Sequence, residues 1–178
     1  MPYGLDILND WQGRNIPEKE RGQIQFSIDS HGLSIWTDAP YFADPAPATP
    51  PGSTDRLWEY EVVELFFVSD NGRYMEIEMG PHGHYLVLLL KGIRCLEKAH
   101  IPMEFQSVVK DKRWQGKARI LLRYLPLPLM GANAFAIHGP AEQRRYLCAF
   151  PTGGDQPDFH QPAFFPPLSS LVLPPPGP

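Results

Sequence analysis

The chain has 178 residues, 43% of them hydrophobic and 12% aromatic, with a formal net charge of −4. That is enough for one sizeable core, is unlike a disordered chain, and has no basic stripe to favour nucleic acid or an anionic membrane surface. Two cysteines are too few for a disulfide scaffold or a Cys-rich zinc site, so free thiols in a reducing, cytoplasmic compartment are expected.

Proline is abundant, with 21 residues. Because it removes a backbone donor and breaks helix interiors, short strands joined by rigid loops are expected. In chain order, "QIQFSIDS" (Gln23 to Ser30) alternates apolar and polar residues, and "LSIWTD" (Leu33 to Asp38) follows across an "HG" hairpin turn. Residues 39–55 are rich in Pro and Ala and read as a long ordered loop. "LWEYEVVELFFVS" (Leu57 to Ser69), "YMEIEMG" (Tyr74 to Gly80) and "HYLVLLLKG" (His84 to Gly92) read as three strands separated by "DNGR" and "PHG" turns.

Residues 104–126 give two more strands around "DKRWQG", and "LPLPLMGAN" (Leu125 to Asn133) is the place for a 3₁₀ turn. "NAFAIHG" (Asn133 to Gly139) and "RRYLCAF" (Arg144 to Phe150) complete the set, ahead of a Pro-rich tail from about residue 166. Eight or more short strands with frequent turns predict an all-β antiparallel sandwich or barrel, one domain over residues 1–178.

The strand "WEYEVVELFF" holds three glutamates. Alternation puts Trp58, Tyr60, Val62, Glu64 and Phe66 on one face, and leaves Glu59 and Glu61 near the strand start to meet water. On the next strand Tyr74, Glu76 and Glu78 share a face, so hairpin pairing brings Glu64 alongside Glu76 and Glu78. Such a row needs cations, a metal or water. Three readings remain open: an ion-pair network with Arg123, Arg144 or Arg145; a ligand groove in which rings stack on a sugar and carboxylates take its hydroxyls; or a catalytic carboxylate pair.

Histidines offer a second chemistry. His82 and His84 flank a turn, His138 ends a strand, and Asp158 and His160 lie between prolines in "PDFHQP". These four histidines are the candidate metal ligands if their loops meet; alternatively Asp158 caps a turn and Phe159 plugs the end of the core. No G-x-S-x-G, P-loop, G-x-G-x-x-G or H-E-x-x-H motif occurs. Cys148 reads as core, and Cys95 has Arg94 and Lys98 as basic neighbours.

The succession "LWEYEVVELFF", "YMEIEMGPHGHYLVLLL", "WQGKARI", "NAFAIHG", "RRYLCAFP" and "PDFHQPAFF", spanning Trp11 to Leu171, resembles a small family of uncharacterised proteins. That family is in turn similar to the family 9 carbohydrate-binding modules and the wider DOMON-like sandwiches. The resemblance implies a jelly-roll-like β-sandwich. In family 9 modules two tryptophans clamp a terminal sugar; Trp58 stands at the matching strand start, Glu64 matches an acidic residue, and Asn133 and Arg144 match polar residues near the site. A second clamp tryptophan is not matched. Some wider relatives hold haem between Met and His, but Met75 and Met79 alternate with the glutamates as core residues do. Structural calcium occurs among such modules, but Asp55 and Asp70 are too sparse to supply it.

The reading is therefore non-catalytic binding of a small polar ligand such as a saccharide by Trp58, Tyr60, Glu64, Tyr74, Glu76, Glu78, Asn133, His138 and Arg144, with no cofactor. The alternatives are a hydrolase using a carboxylate pair or a histidine metal site, and an interaction module using a sheet edge or the tail from Leu168.

Overall fold

The computed structural model describes residues 2–174. Met1 and the last four residues of the Pro-rich tail, 175–178, lie outside it, so the polyproline reading of the tail is tested only as far as residue 174. In chain order the strands are β1 (Pro2–Ile7), β2 (Asn9–Asp10), β3 (Gly22–Asp29), β4 (Gly32–Pro40), β5 (Gly52–Ser53), β6 (Val62–Ser69) and β7 (Arg73–Met79). They continue as β8 (His84–Lys91), β9 (Leu96–Lys98), β10 (Glu104–Lys110), β11 (Arg113–Leu121), β12 (Leu129–His138) and β13 (Arg145–Cys148). Among the described residues the helical elements are three-residue 3₁₀ turns, and none is long and apolar enough to cross a membrane.

Two sheets form a sandwich. One runs β1-β3-β4-β11-β10; the other runs β2-β13-β12-β6-β7-β8-β5, with β9 beside β8. The pairings are antiparallel except for the short β5–β8 contact. Alternation sends Ile24, Phe26, Ile35, Trp114 and Ile120 of the first sheet toward Leu65, Phe67, Met75 and Ile77 of the second, and these build the main core.

The hairpin expected at "HG" joins β3 to β4. Asp29 Oδ1 accepts the His31 and Gly32 backbone N–H groups at 2.7 and 3.0 Å. Gly32 has φ of +148°, and a Cβ there would stand 2.0 Å from the Ile120 carbonyl oxygen, so only glycine fits.

The second sheet also buries its outward face. Leu57, Val62, Phe66, Tyr74, Leu86, Leu90, Phe135 and Ile137 form a second apolar layer, covered by Phe159 and Phe165 of the C-terminal segment. A strand buried on both faces reads as a nearly continuous apolar run, which explains "VVELFFV". The tail then pairs back onto the sandwich through Gly131 with Pro167 and Tyr3 with Val172. Through Val172 it is a packed part of the domain, whereas the proline run of the polyproline reading begins at Pro174 and lies almost wholly outside the described residues.

Three sequence expectations need correction. Strand β6 starts at Val62, five residues later than expected: Leu57–Glu59 is a 3₁₀ turn entered through Arg56, whose φ is +55°. The expected 3₁₀ turn at 125–133 lies earlier, at Leu122–Tyr124. Glu61 does not meet water. It is buried, and its carboxyl accepts the backbone N–H groups of Phe42 and Asp44 at 3.0 and 3.2 Å, anchoring the loop after β4. Burial, with the nearby Asp44 charge adding to it, pushes the Glu61 pKa up to about 7 despite those bonds.

Candidate functional site

The register of β6 and β7 sets Glu64 opposite Glu78, and Phe66 opposite Glu76. All three carboxyls therefore share the outward sheet face, between Phe135 of β12 and Leu86 and Leu88 of β8. The relative exposures of Glu64, Glu76 and Glu78 are 2, 3 and 0%. Both Glu78 oxygens and Glu76 Oε2 are buried with no hydrogen-bond partner among the described residues. Burial, reinforced by Glu76, holds Glu64 well above the ordinary carboxylate range; burial, reinforced by Glu64 and Glu76, does the same to Glu78. Burial lifts Glu76 to about 7 against a partial offset from Arg94.

The expected counter-charges are engaged elsewhere. Arg145 pairs with Glu20 at 2.8 Å, and Arg123 donates to the Tyr124 hydroxyl. Arg144 donates to the carbonyls of Gly139, Trp58 and Tyr60 at 2.9, 2.8 and 2.8 Å. The ion-pair reading of the row is thereby corrected: Arg144 lowers the Glu64 pKa from a distance without bonding it.

Asp158 organises the cover. Its Oδ1 accepts from Arg94 Nη2 at 2.7 Å and from the His160 backbone N–H at 3.0 Å; its Oδ2 accepts from Gln161 Nε2 at 2.8 Å. Burial opposes its ionisation, but these donors outweigh it and keep the carboxyl below its usual range. The His160 ring then reaches under the cover. Its Nδ1 is 2.8 Å from the Tyr74 hydroxyl, which accepts the Arg94 backbone N–H at 2.9 Å. His160 Nε2 stops 3.8 Å from Glu76 Oε2, short of a hydrogen bond. Burial, with Arg94 adding to it, drops the His160 pKa to about 4, so the ring is neutral near pH 7.

Asp158→Ala is expected to lower stability by about 1–3 kcal/mol, because it leaves several donors without their acceptor. Urea unfolding measures the loss, and hydrogen exchange should show it concentrated in residues 157–165.

Between this cover and the sheet lies a cleft of about 390 Å³. Its walls include Trp58, Tyr146 and Phe159, and its polar lining includes Glu64, Glu76, Arg94 and His160. Trp58, 39% exposed, also borders a second hollow of about 630 Å³ lined by Tyr60, Arg144 and Asp44. Of the residues expected from sequence, the structure brings Trp58, Glu64 and Glu76 to the cleft. Tyr74 braces His160 behind it, and Glu78 is closed off beneath.

Asn133 and His138 are not brought there. Asn133 is fully buried; it donates to the Phe150 carbonyl at 2.8 Å and accepts the Phe150 and Ala134 N–H groups. His138 belongs to the inward side of β12, with its ring stacked on Phe42 at 3.5 Å, and burial lowers its pKa. His84 is buried with Nε2 on the Thr49 carbonyl, and His82 packs edge-on to Tyr41. Among the described residues no three His, Cys, Asp or Glu groups are placed to hold a metal ion, which corrects the proposed grouping of His82, His84, His138 and His160. Phe159 covers the outer sheet face rather than the sandwich end, stacking on Phe135 at 4.0 Å. Tyr146 and Arg94 are the site residues that pattern reasoning missed; the only signal was their proximity to residues already under suspicion, Arg144 and Cys95.

No family model matches the chain. The UPF0462 protein C4orf33 homolog of Danio rerio is 39% identical over 168 residues, covering 89% of this chain and 85% of that protein. The UPF0462 protein C4orf33 of Homo sapiens is 37% identical over 163 residues, covering 86% and 81%. The chain belongs to the UPF0462 family.

Solved structures show the fold of this UPF0462 member to be shared. A candidate carbohydrate-binding protein from Bacteroides uniformis superposes with a TM-score of 0.64 at 17% identity, over 93% of this chain and 84% of that one. A family 9 carbohydrate-binding module from Caldicellulosiruptor kristjanssonii, in complex with glucose, gives 0.53 at 15% identity over 89% and 81%. At such identities the likeness is one of fold, and the family 9-like β-sandwich anticipated from sequence is the architecture found.

Proposed function

We propose that this protein binds a saccharide, without turning it over, in the cleft between the outward face of the second sheet and the C-terminal cover. One observation carries the reading. A half-exposed indole, Trp58, stands with Tyr146 at a 390 Å³ cleft whose polar lining includes the carboxyls of Glu64 and Glu76. Flat ring faces stack on the apolar face of a sugar, and a few polar groups fix its hydroxyls. A protonated carboxyl both donates and accepts, so it suits a hydroxyl. The volume lies within the range of small-ligand sites, about 300–1,000 Å³. The glucose-bound module of the same fold supports the assignment by analogy.

Arg144 fixes the Trp58 turn through its carbonyls, while Tyr74 holds His160. A cytoplasmic setting accords with the unpaired thiols of Cys95 and Cys148.

Calorimetric and tryptophan-fluorescence titration with glucose and cello-oligosaccharides tests the reading. Saturable binding is expected, with Trp58→Ala weakening it by about tenfold or more, a loss of roughly 1.4 kcal/mol. A flat response to every saccharide, or an unaltered affinity in Trp58→Ala, would remove the basis for the assignment.

A further inference from the structure

The cleft is unusual in its charge chemistry. Glu64 and Glu76 line it and Glu78 lies directly behind, yet among the described residues no lysine or arginine stands within ion-pair distance of any of the three. His160 Nε2 is the nearest cationic candidate, at 3.8 Å from Glu76. Arg94 is committed to Asp158, and Arg144 to three carbonyls. Glu76, 3% exposed, has an oxygen with no donor and belongs to the cleft lining. A buried acceptor with no donor, next to aromatic walls, has the chemistry to receive a cationic donor.

We propose that the ligand of this cleft is a saccharide bearing a protonated amine, an amino sugar, whose ammonium group settles against Glu64 and Glu76 beside the Trp58 ring. The inference rests on the saccharide reading and narrows it. An ammonium offers three donors and no acceptor, the complement of a carboxylate. Indole and phenol faces attract a cation within about 6 Å of the ring centre. A neutral sugar supplies hydroxyl donors but not the charge the row lacks.

Binding is then linked to proton release. Burial raises Glu64 and Glu78 well above the ordinary carboxylate range and leaves Glu76 to titrate at about 7. The arriving ammonium ionises a carboxyl and its proton leaves to solvent: COOH plus RNH₃⁺ gives COO⁻ paired with RNH₃⁺, plus H⁺. Around the row, Arg94 and Asp158 are a formed pair, Arg144 donates to three carbonyls, Tyr74 is raised above its ordinary value, and His160 stays neutral above about 4. Asp55, which faces Glu78, adds repulsion only. Affinity for the amine therefore rises with pH through 7 until the ligand loses its own proton.

Titration calorimetry on the intact chain, with glucosamine, N-acetylglucosamine and glucose in two buffers of different ionisation enthalpy, tests this. Glucosamine is expected to bind at least about tenfold more tightly than either neutral sugar, with heats that reveal net proton release. Glu76→Gln should shrink that preference several-fold, with a melting curve to show that the variant is folded. Equal affinity for the three sugars, or a preference retained in Glu76→Gln, overturns the amine inference and leaves the saccharide reading standing. No binding by any of the three overturns both.

Discussion

The carboxyls are expected to withdraw stability from the protein as pH rises from about 4.5 to 7, with Glu64 and Glu78 extending the loss above 7. A carboxyl whose folded pKa lies above its unfolded value holds a proton that the unfolded chain has released. Each pH unit between the two values therefore favours unfolding by about 1.4 kcal/mol per group. For Glu76, raised from 4.5 to about 7, this is about 3 kcal/mol. Glu61 acts in the same direction, and Glu64 and Glu78 continue the decline to higher pH.

Histidines work the other way, but lower down. His160, dropped from 6.5 to about 4, and His138 are held neutral in the fold, so they withdraw stability only as pH falls below 6.5. Above 6.5 nothing in this group opposes the carboxyls. Glu76→Gln cannot ionise, so it should melt above the wild type at pH 8.5, by about 2–4 °C for each kcal/mol regained. Thermal melts from pH 5 to 9 decide the matter: parallel profiles for wild type and variant would show that the row is not the source.

Phe135→Ala is expected to cost about 3–5 kcal/mol and, unlike most core truncations, to strip the site of its cover. Phe135 is fully buried, packs edge-on to Phe66 at 5.3 Å, stacks on Phe159 at 4.0 Å and touches Phe165 at 6.1 Å between centroids. Both C-terminal phenylalanines thus meet this ring, Phe165 also resting edge-on to Phe66 at 5.9 Å. Phe26→Ala, in the core between the sheets, should cost a similar amount while leaving the cover seated, because Phe26 packs against Tyr3 and Phe67 instead. Urea unfolding gives the two losses. Hydrogen exchange at residues 157–165 distinguishes them, with rapid exchange expected only in the Phe135 variant.

Period-two alternation was a reliable guide wherever one strand face is wet. It located β3, β4, β10 and β11, and in β6 and β7, buried on both faces, the glutamates still marked a common face for Glu64, Glu76 and Glu78. It failed where burial is two-sided or local chemistry intervenes. The run from Leu57 reads as one strand, but backbone carbonyls at 58 and 60 serve Arg144, eighty-odd residues away, and the segment turns instead. Strand β1 escaped notice because "PYGLDI" carries a proline and a glycine, yet it pairs fully with β3.

The site was half legible. Glutamates in an apolar strand announce themselves. Their partners do not, because Tyr146, Arg94 and His160 reach the cleft from three separate segments. Asn133 and His138 illustrate the converse: polar residues in a suggestive place can be spent wholly on backbone bonds or ring packing.

The order in which these pieces are made carries a consequence for biogenesis. Residues 157–174, which lay Phe159 and Phe165 over the second sheet and then pair with Gly131 and Tyr3, are translated after everything they touch. Until they leave the ribosome, a nascent chain displays Phe66 and Phe135 beside three uncompensated acids. Such a surface binds chaperones and neighbouring chains alike. Premature termination upstream of Pro157 should therefore yield aggregation-prone polypeptide rather than a smaller version of the same domain.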